Sequence, residues 1–298
     1  MTIETPDLEC KLGLTISGIK DNYKIGGLLW TASDRTRICS ARGESSGQAM
    51  VVKQFTESES HQYFKEKLVQ KLLAGYGGHE NLLLGDEFLD EMRVIVSQYA
   101  KGGDVFRLRE RLGKFQPIQT RKIMRGLCNG LEYMHENGII YCDVKPTNLV
   151  LALEAPLERI TAESLVSQSE LITPQLLDFE MGCSSTIYQL KATKTGGTPQ
   201  YMAPEVLRGA QPDPQSDVYG AGLVLYELLA GRCLLQGDSK AEMLWKYLFF
   251  SMPDVSELNP SVPPAFKEVL EKSLADKPDK RYQTAREFGL AIEEALIL

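Results

Sequence analysis

The chain has 298 residues, of which 43% are hydrophobic and 24% are charged. These fractions are ordinary for a globular protein, and they exclude a disordered, collagen-like or coiled-coil chain. The 33 Lys and Arg residues against 40 Asp and Glu residues leave a net charge of −7, which disfavours a surface that neutralises nucleic-acid phosphates. We therefore expect a folded chain with a sizeable core and no nucleic acid as partner.

The start of the chain carries no pattern typical of a targeting segment. Residues 1–7 lack the basic start and the apolar core of a signal peptide, and the longest nearly apolar stretch, 220–231, is too short to cross a bilayer. Six cysteines are scattered without a C-x-x-C pair, which disfavours a zinc site and a disulfide framework. We expect a cytoplasmic protein without a membrane span, and a protein injected into a host cytosol would have the same properties.

Up to residue 99 the sequence has the pattern of strands interrupted by one helix. Strands are predicted at 50–55 and 92–96, where β-rich runs lie between polar or glycine-containing segments. A helix is predicted over 60–74, and it is expected to end at the glycine-rich segment 75–78. The apolar residues at helical spacing in it are Phe64, Leu68, Leu72 and Leu73.

Beyond residue 103 the pattern changes to that of helices. A stripe of apolar residues at helical spacing is closed by Asn-Gly at 137–138. Its members are Ile123, Leu127, Leu131 and Met134. Residues 218–229 are apolar almost all round, which is typical of a helix buried inside a helical domain. Later helices are predicted at 239–250, 264–274 and 283–296.

These patterns predict an α+β fold of two lobes. A small β-rich lobe covers 23–99, after an N-terminal extension at 1–22, and a larger helical lobe covers 100–298. Within the larger lobe, residues 154–175 are polar and keep no period for long, so we interpret them as an insertion loop with one helical turn. The extension and the insertion are the two candidate sites for a regulatory partner.

Three short motifs carry the chemistry. The strongest is D-x-K-P-x-N, with Asp143, Lys145 and Asn148, because it fixes four residue types at once. An acid follows an apolar strand in Leu-Asp-Phe at 177–179, which is a weak motif by itself. The third motif is Gly-Gly-Thr-Pro-Gln-Tyr-Met-Ala-Pro-Glu at 196–205, and it precedes the apolar helix. The order and spacing of the three make the set specific.

The three motifs resemble the catalytic and activation segments of the eukaryotic-like Ser/Thr protein kinases, and the resemblance covers about residues 23–295. It implies the bilobal protein-kinase fold, with ATP and Mg²⁺ bound between the lobes and Mn²⁺ as an alternative ion. The implied reaction is transfer of the γ-phosphoryl group of ATP to a Ser or Thr hydroxyl of a protein substrate. A small-molecule phosphotransferase is disfavoured, because 198–205 resembles the family's peptide-docking segment.

The resemblance assigns the catalytic roles residue by residue. Asp143 matches the carboxylate that accepts the proton of the attacking hydroxyl, and Lys145 would place its ammonium against the phosphoryl group. Asn148 and Asp178 match the metal ligands, since Mg²⁺ prefers hard oxygen donors. Thr198 together with Lys145 favours Ser/Thr over Tyr substrates.

Most residues that the resemblance assigns to the nucleotide lie in the β-rich lobe. Lys53 matches the lysine that holds the α- and β-phosphates. Its acidic partner is predicted to be Glu66 rather than Gln70, because apolar residues follow Glu66 on one helix face. Two further members of the nucleotide-binding set are Ile38 and Val51.

The resemblance also assigns the adenine site and its approach. Gln98 and Ala100 would offer backbone groups to adenine. Ser97 falls where a side chain controls access behind adenine, and because serine is small we expect ATP analogues with bulky N6 substituents to be accepted.

Two structural contacts are expected from the same resemblance. Asp217, at the start of the apolar helix, would bind the backbone of the catalytic loop. Glu205 and Arg281 would form a buried ion pair that braces the activation segment. Such a pair matters chiefly because breaking it leaves a buried charge without a partner.

The loop that covers the phosphates departs from the family. Counting back from the nucleotide-binding lysine puts its three glycines at Thr31, Ser33 and Thr36. Glycine lets the backbone approach phosphate closely, so its absence should weaken nucleotide binding or shift the task to Ser, Thr and Arg side chains. Gly26 and Gly27 are too far upstream unless the strand pairing slips.

The catalytic segments contain two more departures. Glu180 replaces the glycine of the family's Asp-Phe-Gly motif and adds a carboxylate near the metal site. Tyr141 and Cys142 replace the His-Arg pair before the catalytic Asp. Without that arginine we expect activity that does not need loop phosphorylation. Two interpretations stay open: an active kinase with a complete charge-handling set, and a pseudokinase that serves as a binding or scaffolding module.

Overall fold

The computed structural model describes residues 12–31, 36–153, 155–167, 172–184, 198–234, 236–237, 239–248 and 253–297. The chain divides into two compact units. Unit 1 comprises Met1–Gly78 and Leu83–Tyr99, and unit 2 comprises His79–Leu82 and Ala100–Leu298. Among the residues just given, no helix is both long and apolar enough to cross a membrane.

Unit 1 is built on an antiparallel sheet. Its strands are β1 (Thr15–Ser17), β2 (Asn22–Thr31), β3 (Arg37–Gly43), β4 (Ala49–Gln54), β5 (Glu87–Leu89) and β6 (Val94–Gln98). They lie side by side in the order β1-β2-β3-β4-β6-β5, so the segment before residue 22 supplies an edge strand. One face is apolar and buries Ile25, Cys39, Val52 and Val96. Cys39 is disulfide-bonded, which the scattered spacing of the cysteines did not predict.

Helix α1 (Ser60–Gly75) follows the predicted bounds closely, but its buried face differs from the apolar spacing. Phe64 and Leu68 are 53% and 36% exposed, whereas Glu66 and Gln70 are only 2% and 4% exposed. Polar side chains occupy the buried face because they are hydrogen-bonded to one another. Of the four residues of the apolar spacing only Leu73 is buried, and it shares the buried face with Tyr63, Val69 and these polar side chains.

Unit 2 is helical and is organised around one buried helix. Its helices within the described ranges are α2 (Val105–Leu112), α3 (Pro117–Glu136), α4 (Ser164–Ser167), α5 (Pro204–Leu207), α6 (Pro214–Ala230), α7 (Lys240–Leu248), α8 (Val255–Leu258), α9 (Ala265–Ser273) and α10 (Ala285–Ala295). Helix α6 is buried over 216–229, as its all-round apolar pattern predicts. It begins at Asp213, whose carboxylate accepts from the Ser216 amide at 2.8 Å, and it ends at Gly231 with a φ of 73°. Helices α3, α9 and α10 pack against it.

A short antiparallel pair of strands connects two of the motifs. Strands β7 (Leu149–Ala152) and β8 (Thr173–Leu176) pair with Leu149 opposite Leu176. The first strand follows the D-x-K-P-x-N motif directly, and the second leads into Leu-Asp-Phe. Asn81 fixes the outer side of this pair, since its carbonyl oxygen accepts from the Leu176 amide at 2.8 Å. Two motifs that are distant in sequence are thereby brought side by side.

The predicted insertion, 154–175, is structured in the part that can be described. It contains a 3₁₀ turn at Leu157–Arg159, followed by helix α4, and its last residues form β8. Arg111 of helix α2 donates hydrogen bonds to the carbonyl oxygens of Glu158, at 3.2 Å, and of Ile160. Ile160 is 2% exposed. The segment around it is therefore packed onto unit 2 and is not a free loop.

Candidate active site

Asp143 lies at the centre of a hydrogen-bonded cluster in unit 2. Its Oδ2 accepts from Lys145 Nζ at 2.6 Å and from Asn148 Nδ2 at 2.8 Å. Lys145 Nζ also donates to Thr198 Oγ1 at 3.2 Å. Asp143 and Asn148 are buried, and Lys145 is half-buried. Four side chains singled out from the sequence are thus within one hydrogen-bonded group.

The backbone before Asp143 is held by Asp217 at the start of α6. Asp217 Oδ2 accepts from the Tyr141 amide and Oδ1 from the Cys142 amide, both at 2.8 Å. His135 Nε2 of helix α3 lies 2.8 Å from the same Oδ2. Cys142 has a left-handed φ of 69°, a conformation that non-glycine residues seldom adopt. The predicted contact between the buried helix and the catalytic loop is therefore present.

Asp178 reaches the same part of unit 2 through the β7–β8 pair. The Leu177 amide donates to the Asn148 carbonyl oxygen at 3.1 Å, so the register places Asp178 close to Asn148. Asp178 has a φ of 64°, and strained backbone of this kind clusters at functional sites. A carboxylate oxygen of Asp178 lies within 4.8 Å of one of Glu180. Glu180 thus adds negative charge next to the predicted metal ligand.

Tyr141 and Phe179 pack in the core next to these groups. Their rings meet edge to face, with centroids 5.9 Å apart and an interplanar angle of 72°. The Tyr141 hydroxyl donates to the Leu177 carbonyl oxygen. Burial, and after it the charges of Asp143 and Asp178, hold the pKa of Tyr141 well above its usual value. The phenol therefore stays neutral and remains a hydrogen-bond donor.

In unit 1, Lys53 and Glu66 form the predicted ion pair. Lys53 Nζ lies 2.8 Å from Glu66 Oε2. Gln70, the alternative partner in sequence, instead donates from Nε2 to Glu66 Oε1 at 2.9 Å, and its own Oε1 accepts from the Gly85 amide. Lys53 Nζ also lies 4.8 Å from the centroid of the Phe55 ring. Both oxygens of the buried carboxylate therefore have partners, which orients it toward the lysine.

Three predicted nucleotide contacts and the predicted access position, Ser97, share one face of the sheet. The register puts Lys53 opposite Ile38 on β3 and opposite Ile95 on β6. Val51 lies opposite Ser97. Because residues that are opposite each other or two apart point to the same side, Ile38, Val51 and Ser97 all lie on the Lys53 face. This face is the one opposite the apolar core of β2–β4.

The predicted hinge residues lie at the end of β6. Gln98 is the last residue of that strand and lies opposite Met50. The Tyr99 amide continues the ladder by donating to a β4 carbonyl oxygen at 3.1 Å. The Ala100 carbonyl oxygen accepts from the Gly103 amide at 3.0 Å, which forms a turn. The adenine contacts of Gln98 and Ala100 stay a prediction.

A family model described as a protein kinase domain matches residues 35–289. That range includes both the Lys53–Glu66 pair and the Asp143 cluster. The chain belongs to the protein kinase family. The two-unit architecture, with a curled antiparallel sheet in one unit and helices in the other, is the bilobal fold of this family.

Several relatives of this kinase carry the name serine/threonine-protein kinase. PrkC of Bacillus subtilis is 28% identical over 224 residues, which cover 73% of this chain and 31% of PrkC. PknB of Mycolicibacterium smegmatis is 31% identical over 196 residues, covering 65% and 29%. PknH of Mycobacterium tuberculosis is 30% identical over 213 residues, covering 71% and 30%. The matched part of this kinase thus corresponds to about a third of the length of these relatives.

Protein kinases use ATP and divalent metal ions, and the donor set of this kinase fits such an ion. Asp178 and Glu180 offer carboxylate oxygens close to each other. Asn148 directs its Nδ2 at Asp143, so Oδ1 is its remaining ligand atom. Oxygen donors of this kind suit a hard cation such as Mg²⁺.

The predicted brace of the kinase activation segment is present. Arg281 binds both carboxylate oxygens of Glu205, at 2.8 and 2.7 Å, and donates to three backbone carbonyl oxygens as well. The Arg281 side chain is fully buried. Burial alone would raise the pKa of Glu205, but the hydrogen bond and charge of Arg281 outweigh it and lower that pKa. Such a charge-assisted bidentate pair is geometrically specific.

A second buried charge in the kinase was missed from the sequence. Glu227 of α6 is 0% exposed and accepts from Arg109 Nη2 at 2.9 Å and from the Tyr201 hydroxyl at 2.6 Å. It connects α6 to α2 and to the segment after Thr198. The signal was available, because a single acid within the apolar stretch 218–229 needs a buried partner.

The phosphate-covering loop of the kinase is described in part. Thr31 ends β2, and Ser33 lies outside the described residues. Thr36 is buried, and its hydroxyl donates to Glu59 Oε2 at 3.1 Å. The pairing of β2 with β3 does slip, with one shift next to Gly27, yet Gly27 still lies within the ladder. Thr36 is therefore bound to protein and not presented to phosphate.

Proposed function

We propose that this kinase transfers the γ-phosphoryl group of ATP to a Ser or Thr hydroxyl of a protein substrate. The observation that carries the proposal is the convergence of Lys145 and Asn148 on one carboxylate oxygen of Asp143, with Thr198 next to Lys145. The names of the bacterial relatives support the same activity. Thr198 next to Lys145 matches the Ser/Thr kinases of the family, and this match supports a Ser or Thr hydroxyl as the acceptor.

Asp143 is the group that aligns the substrate hydroxyl and accepts its proton. Asn148 and Lys145 donate to Oδ2 of Asp143, which orients the carboxylate so that its other oxygen can meet the hydroxyl. A positioned general base contributes about 10²–10⁴-fold to the rate. Lys145 then offers its positive charge to the phosphoryl group during transfer, as positioned cations do in this reaction.

Lys53 positions the nucleotide. Its ammonium lies against Glu66, which is held in turn by Gln70, so the lysine is fixed before ATP arrives. We propose Mg²⁺ as the ion, held by Asn148 and Asp178 with Glu180 nearby. When bound, this ion offsets the negative charge of the β- and γ-phosphates. Mn²⁺, which also prefers oxygen ligands, is the alternative ion.

A pseudokinase that binds without catalysis is the second candidate, and two observations favour it. Thr36 of the altered loop is engaged by Glu59, so this hydroxyl does not replace a glycine backbone contact to phosphate. Glu180 lies within 4.8 Å of Asp178, and its charge repels the phosphates of ATP. Both effects weaken nucleotide binding.

The deciding experiment is phosphorylation of the chain itself and of a general protein substrate with radiolabelled ATP and Mg²⁺ or Mn²⁺. Asp143→Asn keeps the shape and removes the base, so activity should fall at least about 100-fold. Asp279→Asn, on an exposed side chain, is the matched control and should stay within about twofold of the wild type. Equal signal from the wild type and Asp143→Asn would identify a contaminant and overturn the proposal.

A thermal-shift titration separates the two candidates further. ATP that binds the native state stabilises it and so raises the unfolding temperature. The free energy of unfolding increases by about 2.7 kcal/mol when the ATP concentration is 100 times Kd. A pseudokinase that binds nucleotide predicts such a shift without phosphoryl transfer, and one that serves only as a scaffold predicts neither. The active kinase predicts the shift and transfer that depends on Asp143.

A further inference from the structure

Two cysteine thiols face each other between the catalytic loop and the segment after Asp178. Cys142 Sγ and Cys183 Sγ are 3.1 Å apart. Cys142 directly precedes Asp143, and Cys183 follows the Asp-Phe-Glu motif. In sequence each of the six cysteines reads as a small buried apolar residue. The contact between these two gives them a different chemistry.

The backbone holds the two segments together at this point. The Ile140 amide donates to the Cys183 carbonyl oxygen at 2.7 Å, and the Cys183 amide donates to the Ile140 carbonyl oxygen at 2.9 Å. This pair of hydrogen bonds fixes Cys183 beside the segment that leads to Cys142. The short distance between the sulfur atoms is therefore set by the fold of unit 2 and not by the side chains alone.

The two thiols differ in exposure. Cys142 is half-buried, whereas Cys183 is 4% exposed. A small oxidant can therefore reach Cys142 first, and Cys183 is placed to react with the product. Exposure of one thiol with a second thiol beside it is the arrangement of redox-sensing cysteines.

We propose that Cys142 and Cys183 form a modification site that peroxide converts to a disulfide. In the first step the Cys142 thiolate attacks hydrogen peroxide, which gives a sulfenic acid and releases water once a proton is supplied. In the second step the Cys183 thiol attacks that sulfur, the S–S bond forms, and a second water leaves. Both thiols are oxidised by one electron each, and the peroxide is reduced to two waters.

The disulfide would displace the catalytic loop. A disulfide has an S–S distance of about 2.05 Å, so the two sulfurs must approach each other by about 1 Å. Cys142 has little freedom to adjust, since its backbone is in the left-handed region and its amide is bound to Asp217. Any movement of the Cys142 backbone that closes this distance also moves Asp143, which follows it directly in the chain. A displacement of about 1 Å can cost about 100-fold in rate, and this consequence rests on the proposed kinase function.

The test treats the full chain with hydrogen peroxide, blocks the remaining thiols by alkylation and maps peptides without reduction. A peptide that links Cys142 to Cys183 is expected, and dithiothreitol should remove it. Phosphoryl transfer should fall at least about tenfold over the same range of peroxide concentrations that forms the linked peptide. It should return when the disulfide is reduced. Cys233→Ser, which alters a thiol elsewhere in unit 2, should leave the linked peptide unchanged.

Cys183→Ser and Cys142→Ala each remove one half of the site and should keep their own untreated activity after peroxide. If one of them does not fold, the other suffices. The catalytically impaired Asp143→Asn should still form the linked peptide, so loss of the kinase proposal would leave the disulfide measurable. Separate alkylation of both thiols after peroxide, or linkage of either one to another cysteine, would overturn the proposed site.

Discussion

Gln70 Nε2 donates a buried hydrogen bond of 2.9 Å to Glu66 Oε1. Lys53 binds the other oxygen of the same carboxylate, Oε2. Gln70 in turn accepts from the Gly85 amide. A side chain at position 85 would crowd this bond, since a Cβ there would lie 3.1 Å from Gln70 Oε1 and 2.7 Å from Ile95. The ion pair is thus one end of a longer polar chain inside unit 1.

Gln70→Ala should weaken both stability and nucleotide binding. The substitution removes the hydrogen bonds that Gln70 makes to Glu66 Oε1 and to the Gly85 amide, and each lost bond costs about 1 kcal/mol. We expect lower stability in urea unfolding and a higher KM for ATP. Gln62→Ala, on the exposed side of the same helix, is the control and should change neither quantity.

Arg281→Met should destabilise unit 2 strongly. The substitution removes the charged partner of the Glu205 carboxylate at a site where the Arg281 side chain is 0% exposed. Breaking a buried pair costs about 3–5 kcal/mol. Arg208→Met is a matched control, because Arg208 forms a pair of similar length with Asp276 at the surface and should cost less than about 1 kcal/mol. Equal losses in chemical denaturation would contradict the buried-pair argument.

Stability should fall in acid partly through Glu205. Its pKa in the folded chain lies below the ordinary 4.5, so the unfolded chain binds a proton more readily than the folded one. The stabilisation is therefore fully present above about pH 4.5 and is lost as the pH falls through the folded pKa. Glu205→Gln should flatten this part of the curve of unfolding free energy against pH. An unchanged slope would show that other carboxyl groups account for it.

Tyr141→Phe should keep the ring contact with Phe179 and lose one hydrogen bond. The partly buried Leu177 carbonyl oxygen then lacks the Tyr141 hydroxyl, which costs about 1 kcal/mol. Because Leu177 precedes Asp178, we expect a lower kcat in addition to lower stability. Tyr76→Phe, at a side chain that is 53% exposed, should alter neither. A variant as active and stable as the wild type would rule out a positioning role for the hydroxyl.

Ser97→Met should close the predicted space behind adenine. Ser97 lies on the Lys53 face of the sheet opposite Val51, and methionine there adds a long side chain. We expect an N6-benzyl analogue of ATP to compete with ATP in the wild type and to lose at least about tenfold in affinity in the variant. Binding of ATP itself serves as the internal reference. An analogue that fails to compete in the wild type would refute the predicted space.

Much of the site could be predicted because its residues occur in fixed local motifs. Asp143, Lys145 and Asn148 lie within six positions of one another in the sequence, so a short pattern records their chemistry. The pair of Glu205 and Arg281 could be expected only through the resemblance, since nothing local joins residues so far apart. The burial of helix α6 was predictable because a helix that is apolar on all sides lies in the interior of a domain.

Other features depend on tertiary packing and could not be predicted. The buried face of α1 carries Glu66 and Gln70 beside Val69 and Leu73, whereas the apolar residue Phe64 faces outward. The approach of Cys142 to Cys183 depends on the bridge between Ile140 and Cys183. No spacing rule relates such positions, because the bridge exists only once unit 2 has folded.

Asp217 lies in the first turn of α6, and its carboxylate accepts hydrogen bonds from the Tyr141 and Cys142 amides of the catalytic loop. Melting of this end of the helix removes the acceptors of two loop amides in the same event. The loop therefore has no independent folding transition. A partly unfolded intermediate that lacks α6 also lacks the catalytic geometry, and unfolding of unit 2 by heat should abolish activity at the same temperature.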